Sequence, residues 1–172
     1  THPAPARKLP DLCEAVSERT LHRLVNEDLD SLDPDEGEGG LAVGGAHRRG
    51  CSWTTMEREL KVSAAEIPTT GLFDGTWLAT REYTILHADA RAEETLSVHD
   101  KKYFRAVTGL GDQAFAAHVP GVIPGTVVFR DGGLLVQVAY EAADERKPLS
   151  REHAVRGAYA AATEVAQALP AG

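Results

Sequence analysis

The chain has 172 residues, 42% of them hydrophobic and 26% charged, with a formal net charge of −8. That length suits one domain, able to bury about 70% of the surface its unfolded form exposes. The negative balance excludes a general nucleic-acid binder, which needs a basic face, and the sequence holds no run of about 18 apolar residues to span a membrane.

Residues 1–10 hold Pro3, Pro5 and Pro10 and no apolar periodicity, so they read as a Pro-rich linker without contacts of its own. The chain starts at Thr1 and its one methionine is Met56, as in a processed or trimmed precursor. Residues 11–169 read as a single α+β domain. A short turn from Asp11 to Val16 leads into a helix over Ser17–Asn26, where Ser17 is a good N-cap and Leu21, Leu24, Val25 and Leu29 form an apolar stripe. Residues 27–48 form an acidic, Gly-rich loop carrying Asp28, Asp30, Asp33, Asp35, Glu36 and Glu38. A calcium loop fails on register: counted from Asp33, the glycine position is Glu38 and the closing glutamate position is Gly44. A solvated loop remains.

Cys51–Met56 and Arg58–Ala65 alternate and are rich in β-formers, which predicts a strand or a strand pair. Residues 68–75 form a loop. Thr76–Leu86 reads as a second β stretch, and Ala88–Tyr103, rich in Ala, Glu, Lys and Arg, as a middle helix. Gly109 and Gly111 allow a tight bend, with Asp112 bonding nearby backbone amides. Asp131-Gly132 reads as a two-residue hairpin turn, pairing Phe129 with Leu134 and Val127 with Val136. In that register Val127, Phe129, Leu134, Val136, Val138 and Tyr140 share the more apolar face. Ser150 to Leu169 closes the chain as a helix with Val155, Ala158, Tyr159, Ala162, Val165, Ala166 and Leu169 on one side.

Chemistry is harder to find. Gly109-Leu-Gly111-Asp-Gln-Ala114 matches a dinucleotide fingerprint, but Pro120, Gly121 and Pro124 stop the long helix which that motif needs. No cofactor is expected. The seven histidines form no HExxH, HxH or Cys/His cluster, so no metal site is expected either. A serine nucleophile elbow is missing too. Trp53, Trp77, Tyr83 and Tyr103, with Tyr159, are either core or the wall of a pocket for an apolar ligand. Cys13 and Cys51, the two cysteines, are either separate buried thiols or a bridge. Flanking turn residues and the absence of a CxxC pattern favour the bridge. It would stabilise the fold by about 4 kcal/mol through loop closure and point to an oxidising, extracytoplasmic setting.

Taken together, Leu12-Cys13 before a helix, Cys51-Ser-Trp53 opening a strand, Gly109–Ala114, the hairpin Val127–Tyr140 and the Ala-rich last helix resemble the actinobacterial small secreted and lipoprotein domains of unknown function. The resemblance covers roughly residues 11 to 169 and extends to PsbP-like cell-wall lipoproteins and to extracytoplasmic sensor domains of some kinases. It implies a PsbP-like α+β fold, an antiparallel sheet flanked by N-terminal and C-terminal helices. The domain would be held outside the membrane by a lipid or a transmembrane anchor lying beyond this chain. It transfers no catalytic residues, and it leaves the acidic insert and the 68–75 loop unmatched. The expectation is a non-enzymatic, cell-surface domain that binds a small ligand or an envelope component, in the manner of a sensor. The sequence does not set its oligomeric state. Two rivals are an enzyme built from isolated residues such as His87, Asp89 and Asp112, and a purely structural interaction module.

Overall fold

The computed structural model describes residues 7–25, 34–41, 43–96 and 103–170, with residues 93–96 as backbone alone. In chain order the elements are α1 (Leu12–Ala15), α2 (Glu18–Val25), β1 (Asp35–Gly37), β2 (His47–Thr54), β3 (Arg58–Glu66), α3 (Gly75–Leu96), β4 (Tyr103–Ala106), β5 (Gln113–Val119), β6 (Ile123–Asp131), β7 (Leu134–Ala142) and α4 (Arg151–Ala168). Among the described residues the strands form one seven-stranded sheet, ordered β1-β2-β3-β7-β6-β5-β4, antiparallel at each pairing. The fold is α+β, as expected.

The two faces of the sheet are covered unequally. On one, Trp53, Leu60, Val62, Val127, Phe129, Val136 and Val138 pack under α1, α2 and α4, through Leu12, Leu24, Val25, Ala158, Ala162 and Val165. Cys13 of α1 is bridged to Cys51 of β2, with Cα atoms 5.2 Å apart, which ties the N-terminal helices to this face. Tyr140 reaches up from β7 and its hydroxyl donates to the Leu24 carbonyl at the end of α2. On the other face α3 lies over Ala65, Phe115, Ala117, Val128 and Leu135, contributing Tyr83 and Ala90, while Leu41 closes one flank.

Several expectations need correction. Thr76–Leu86 is the first half of α3, the expected middle helix is the rest of α3 as far as it is described, to Leu96, and Tyr103 opens β4 rather than ending a helix. Propensity misleads here because the buried positions, Ala79, Tyr83 and Ala90, recur at helical spacing. The threonines are accommodated: Thr80 and Thr84 hydroxyls donate to the carbonyls of Thr76 and Thr80. Residues 7–10 are not a free linker. Leu9 is core, and the Arg7 guanidinium pairs with Glu66 at 3.6 Å and with Asp131 at 3.1 Å. Within the acidic loop, Asp35–Gly37 adds an edge strand to β2, and Glu36 and Glu38 pair with Arg49 and Arg48. Residues 1–6, Asn26 to Asp33, and the His99-Asp100 pair lie outside the described residues.

The C-terminal helix sits where expected, capped by Ser150, whose hydroxyl accepts from the His153 N–H. Its buried stripe is rotated, however: Ala154, Gly157 and Ala161 face the sheet, and Tyr159 is exposed. The reason is close approach, since a Cβ on Gly157 would lie 2.5 Å from the Tyr140 ring.

The hairpin register also shifts. Asp131 pairs with Leu134 and Phe129 with Val136, so Gly132 and Gly133, not Asp131 and Gly132, make the turn. Gly132 has φ +58°, the positive value that a type II′ turn places first, and Gly133 abuts the Ile67 carbonyl, where a Cβ would come within 2.5 Å. Asp131 is held in the ladder by Arg7. The slip is two residues, so every side chain keeps the face assigned to it from sequence. Gly111, at φ +55°, brings the preceding loop against the Arg130 carbonyl, and Gly109, at φ +86°, faces open space. Asp112 then accepts from the Gly132 N–H at 2.9 Å and from Arg130 at 3.3 Å, the backbone-amide role expected of it.

Gly132→Val is therefore expected to lower stability by about 1–2 kcal/mol, since a β-branched residue is forced into left-handed backbone. Chemical denaturation reads this directly. An unchanged midpoint would show that position 132 does not hold the turn.

Candidate functional site

The β5–β6 turn divides two recesses at one end of the sheet. Pro120, Gly121 and Val122 make this turn, and Val122, Ile123 and Pro124 line both recesses. The first is a cleft of about 520 Å³ between α3 and the sheet. Its existence follows from unequal coverage: one helix cannot cover a sheet face this wide, and α3 crosses only part of it. Leu86 and Ala90 form the helix wall, and Phe115, Ala117 and Val128 form the floor. Asp89, Thr126 and Gln137 supply the polar groups. Beside the cleft, under α3, Phe104, Tyr83 and the His87 ring cluster around Phe115 of the floor, with centroid separations of 4.8 Å for His87–Phe104 and 5.6 Å for Tyr83–Phe115. Burial pushes the Tyr83 phenol up from its ordinary range against the opposing pull of Arg130, so it stays protonated and polar.

The second recess is a wider trough of about 1020 Å³ beside the start of α4. Glu141, Glu145 and Glu152 oppose Arg151 along it, so it offers no field of one sign. His118 forms part of its wall and is nine-tenths buried, with no hydrogen-bond partner for its Nδ1 among the described residues. Burial, and then the Arg151 guanidinium, lowers the His118 pKa from the ordinary 6.5, which keeps the ring neutral. Glu141 faces Glu59 across the β3–β7 pairing, and burial together with that neighbour raises its carboxyl pKa.

The aromatic residues expected to share a pocket do not meet. Trp53 is core beneath α1, α2 and α4, whereas Tyr83 belongs to the opposite face. Trp77 is 60% exposed on α3, and Tyr103 is half-buried beneath the guanidinium groups of Arg105 and Arg151 at 5.4 and 5.6 Å. Of these, Tyr83 alone supports the cleft, from beside Phe115. His87, Asp89 and Asp112 are not assembled either. The His87 ring packs on Phe104 and Phe115, Asp89 stands at the cleft, and Asp112 is engaged with the hairpin turn. Among the described residues no three His, Cys, Asp or Glu side chains converge as metal ligands do.

Sequence reasoning missed Leu86, Ala90, Phe115, Ala117 and Gln137 as cleft residues. The signal was the 79-83-90 spacing, which places a helix where a strand was expected. Neither a family model, nor a curated protein, nor a solved structure matches this chain.

The neutral His118 gives a pH dependence of known sign. A pKa lowered on folding contributes stability that is present above 6.5 and is lost as pH falls through the folded value. Glu66 and Glu141 have raised values and act oppositely, losing their contribution as pH rises through those values. The expected result is therefore a difference: below pH 6.5 the wild type loses unfolding free energy faster than His118→Gln does. Parallel midpoint-against-pH curves for the two proteins would remove His118 as the cause.

Proposed function

We propose that the protein is a non-catalytic, extracytoplasmic binding domain that takes a small, largely apolar ligand with one or two hydrogen-bonding groups. The cleft between α3 and the sheet carries this reading. Its volume lies within the range of roughly 300–1,000 Å³ common for small-molecule sites, and most of its lining residues are apolar, with Asp89, Thr126 and Gln137 supplying a substantial polar part of the wall. Gln137 and Thr126 on the floor would orient the ligand, and Asp89 at the mouth would favour a neutral or cationic group over an anion. The Cys13–Cys51 bridge supports a setting outside the reducing cytosol, since such bridges persist in oxidising compartments. The likeness of the Cys13, Cys51-Ser-Trp53 and Gly109–Ala114 elements to secreted actinobacterial domains points the same way. A sensor or envelope-partner role, with attachment through a lipid or membrane anchor, belongs to the same proposal.

The cleft can be tested without knowing the ligand. An environment-sensitive apolar dye such as N-phenyl-1-naphthylamine should bind with one-to-one stoichiometry. Filling the floor with Ala117→Phe, or the helix wall with Ala90→Phe, should weaken it by about tenfold or more, since an occupied site cannot be shared. Two variants from opposite walls guard against one failing to fold. Dye affinity unchanged in a folded variant of either kind would reject the cleft as the site.

Location is a separate matter. In cells expressing the full-length gene fused to a reporter, external protease should degrade the domain. Protection, together with fractionation into the cytosol, would reject the extracytoplasmic setting while leaving the cleft result standing.

A further inference from the structure

Leu72, Phe73 and Trp77 are 88%, 60% and 60% exposed. They are close in sequence, on the loop between β3 and α3 and on the first turn of that helix. Single exposed apolar residues need no explanation, but three large ones presented by one corner do. The corner is braced by its own hydrogen bonds. The Thr70 hydroxyl accepts from the N–H groups of Leu72 and Phe73 at 3.2 and 3.1 Å, and the Thr70 N–H donates to the Phe73 carbonyl. The Gly75 N–H donates to the Thr69 hydroxyl, and the Trp77 N–H to the Asp74 carboxylate. The backbone donors behind the three side chains are thus satisfied internally. This matters most for a surface that must enter a layer poor in hydrogen-bonding groups, because each stripped donor there is costly. A protein partner, which offers donors and acceptors of its own, would impose no such condition.

The position of the corner supplies the second argument. A Cβ on Gly133 would lie 3.6 Å from the Gly75 backbone, and one on Gly132 would lie 2.8 Å from the Arg7 guanidinium. The start of α3, the β6–β7 turn and the point where the N-terminal segment joins the fold therefore form one end of the molecule. Arg7 is fixed there by Glu66 and Asp131. The cleft opens at the other end of β6, beside Ile123 and Pro124. Lys8 and Arg81 are exposed near this end, Arg81 one helical turn beyond Trp77, and together with the exposed Asp74 carboxylate between Phe73 and Trp77 they give the apolar corner a rim of both charges, suited to the polar headgroup layer.

We propose that Leu72, Phe73 and Trp77 form a membrane-facing surface that inserts into the interfacial layer of a phospholipid bilayer. It would orient the domain with its cleft directed away from that bilayer. Attachment through the residues preceding Arg7 would raise the local concentration of this corner at the surface. The proposal does not rest on the cleft binding a ligand.

The test uses the full chain with an N-terminal hexahistidine tag, captured on phosphatidylcholine vesicles containing a small fraction of nickel-chelating lipid. Trp53 is core and Trp77 exposed, so a change in tryptophan emission on capture reports Trp77. With brominated acyl chains in the vesicle, emission should fall below that seen on unbrominated vesicles. The double variant Leu72→Ser/Phe73→Ser should lose this difference while unfolding at the wild-type midpoint. Ala117→Phe should keep it, which separates this proposal from the cleft reading. Equal emission of the captured wild type on both vesicles would overturn the proposal. Loss of quenching in Ala117→Phe alone would overturn it too, because a lipid chain in the cleft would then be the cause. A patch-dependent dimer by sedimentation without bromine quenching would assign the corner to a second copy instead.

Discussion

The pairing of β3 with β7 is the constraint on which the rest of the molecule depends. Arg58–Glu66 runs antiparallel to Leu134–Ala142 over nine aligned positions at the centre of the sheet. It joins β1-β2-β3 to the β4–β7 meander, two units otherwise local in sequence. Loop-closure entropy opposes so distant a pairing, and the return comes from burial, since Leu60, Val62, Ala64, Val136 and Val138 are fully buried along it. The Cys13–Cys51 bridge acts on the same problem from one side. It fixes α1 to β2, the neighbour of β3, and so reduces the freedom of the unfolded chain around the N-terminal half of the sheet.

The ends of that central pairing are locked differently. At the turn end, the Ile67 N–H donates to the Gly133 carbonyl, Asp112 accepts from Gly132, and Arg7 spans Glu66 and Asp131. Burial raises the Glu66 carboxyl pKa, and Arg7 opposes that rise by favouring the carboxylate it pairs with. At the other end the strands are bridged more loosely: Arg58 donates to the Lys147 carbonyl, and Lys147 pairs with Glu57, among exposed side chains. Exposed pairs of this kind contribute little. One end of the sheet is thus stiff and carries the apolar corner, while the other is open and carries the recesses.

What could be read from the sequence follows from how local the determining physics is. The strand pair after Cys51, the bend at Gly109–Gly111, the faces of the last hairpin and the Ser150 cap are set by neighbours in sequence, and all were legible. The turn differs because the Asp-Gly dipeptide taken alone favours a turn one residue earlier than Gly132-Gly133. Arg7, more than a hundred residues away, draws Asp131 into the ladder, and Gly133 is needed where the Ile67 carbonyl approaches. Thr76–Leu86 misled for a related reason. Trp77, Tyr83, Thr84 and Ile85 favour strands, but the sheet has no place for another strand there and offers a face that needs a helix. Residues 7–10 read as a linker because, within the Pro-rich stretch 1–10, one arginine and one leucine with distant partners leave no local signal.

The candidate cleft was the least legible feature, because no residue in it is unusual. It arises from what α3 fails to cover. Ala90 and Ala117 leave room where larger side chains would have closed helix onto sheet, and Gln137 is polar at a position whose neighbours Leu135 and Val128 are buried. A sheet evolved only for packing would gain by filling that space, since a partly filled face forfeits dispersion contacts. On the opposite face, where α4 approaches closely, the small residues serve contact: Gly157 meets the Tyr140 ring, and Gly125 meets the Ala154 carbonyl. Small residues therefore have two opposite roles in this molecule, bringing α4 onto the sheet and keeping part of α3 away from it. Composition does not distinguish them. The distinction emerges only once the β3–β7 register decides which face each alanine occupies.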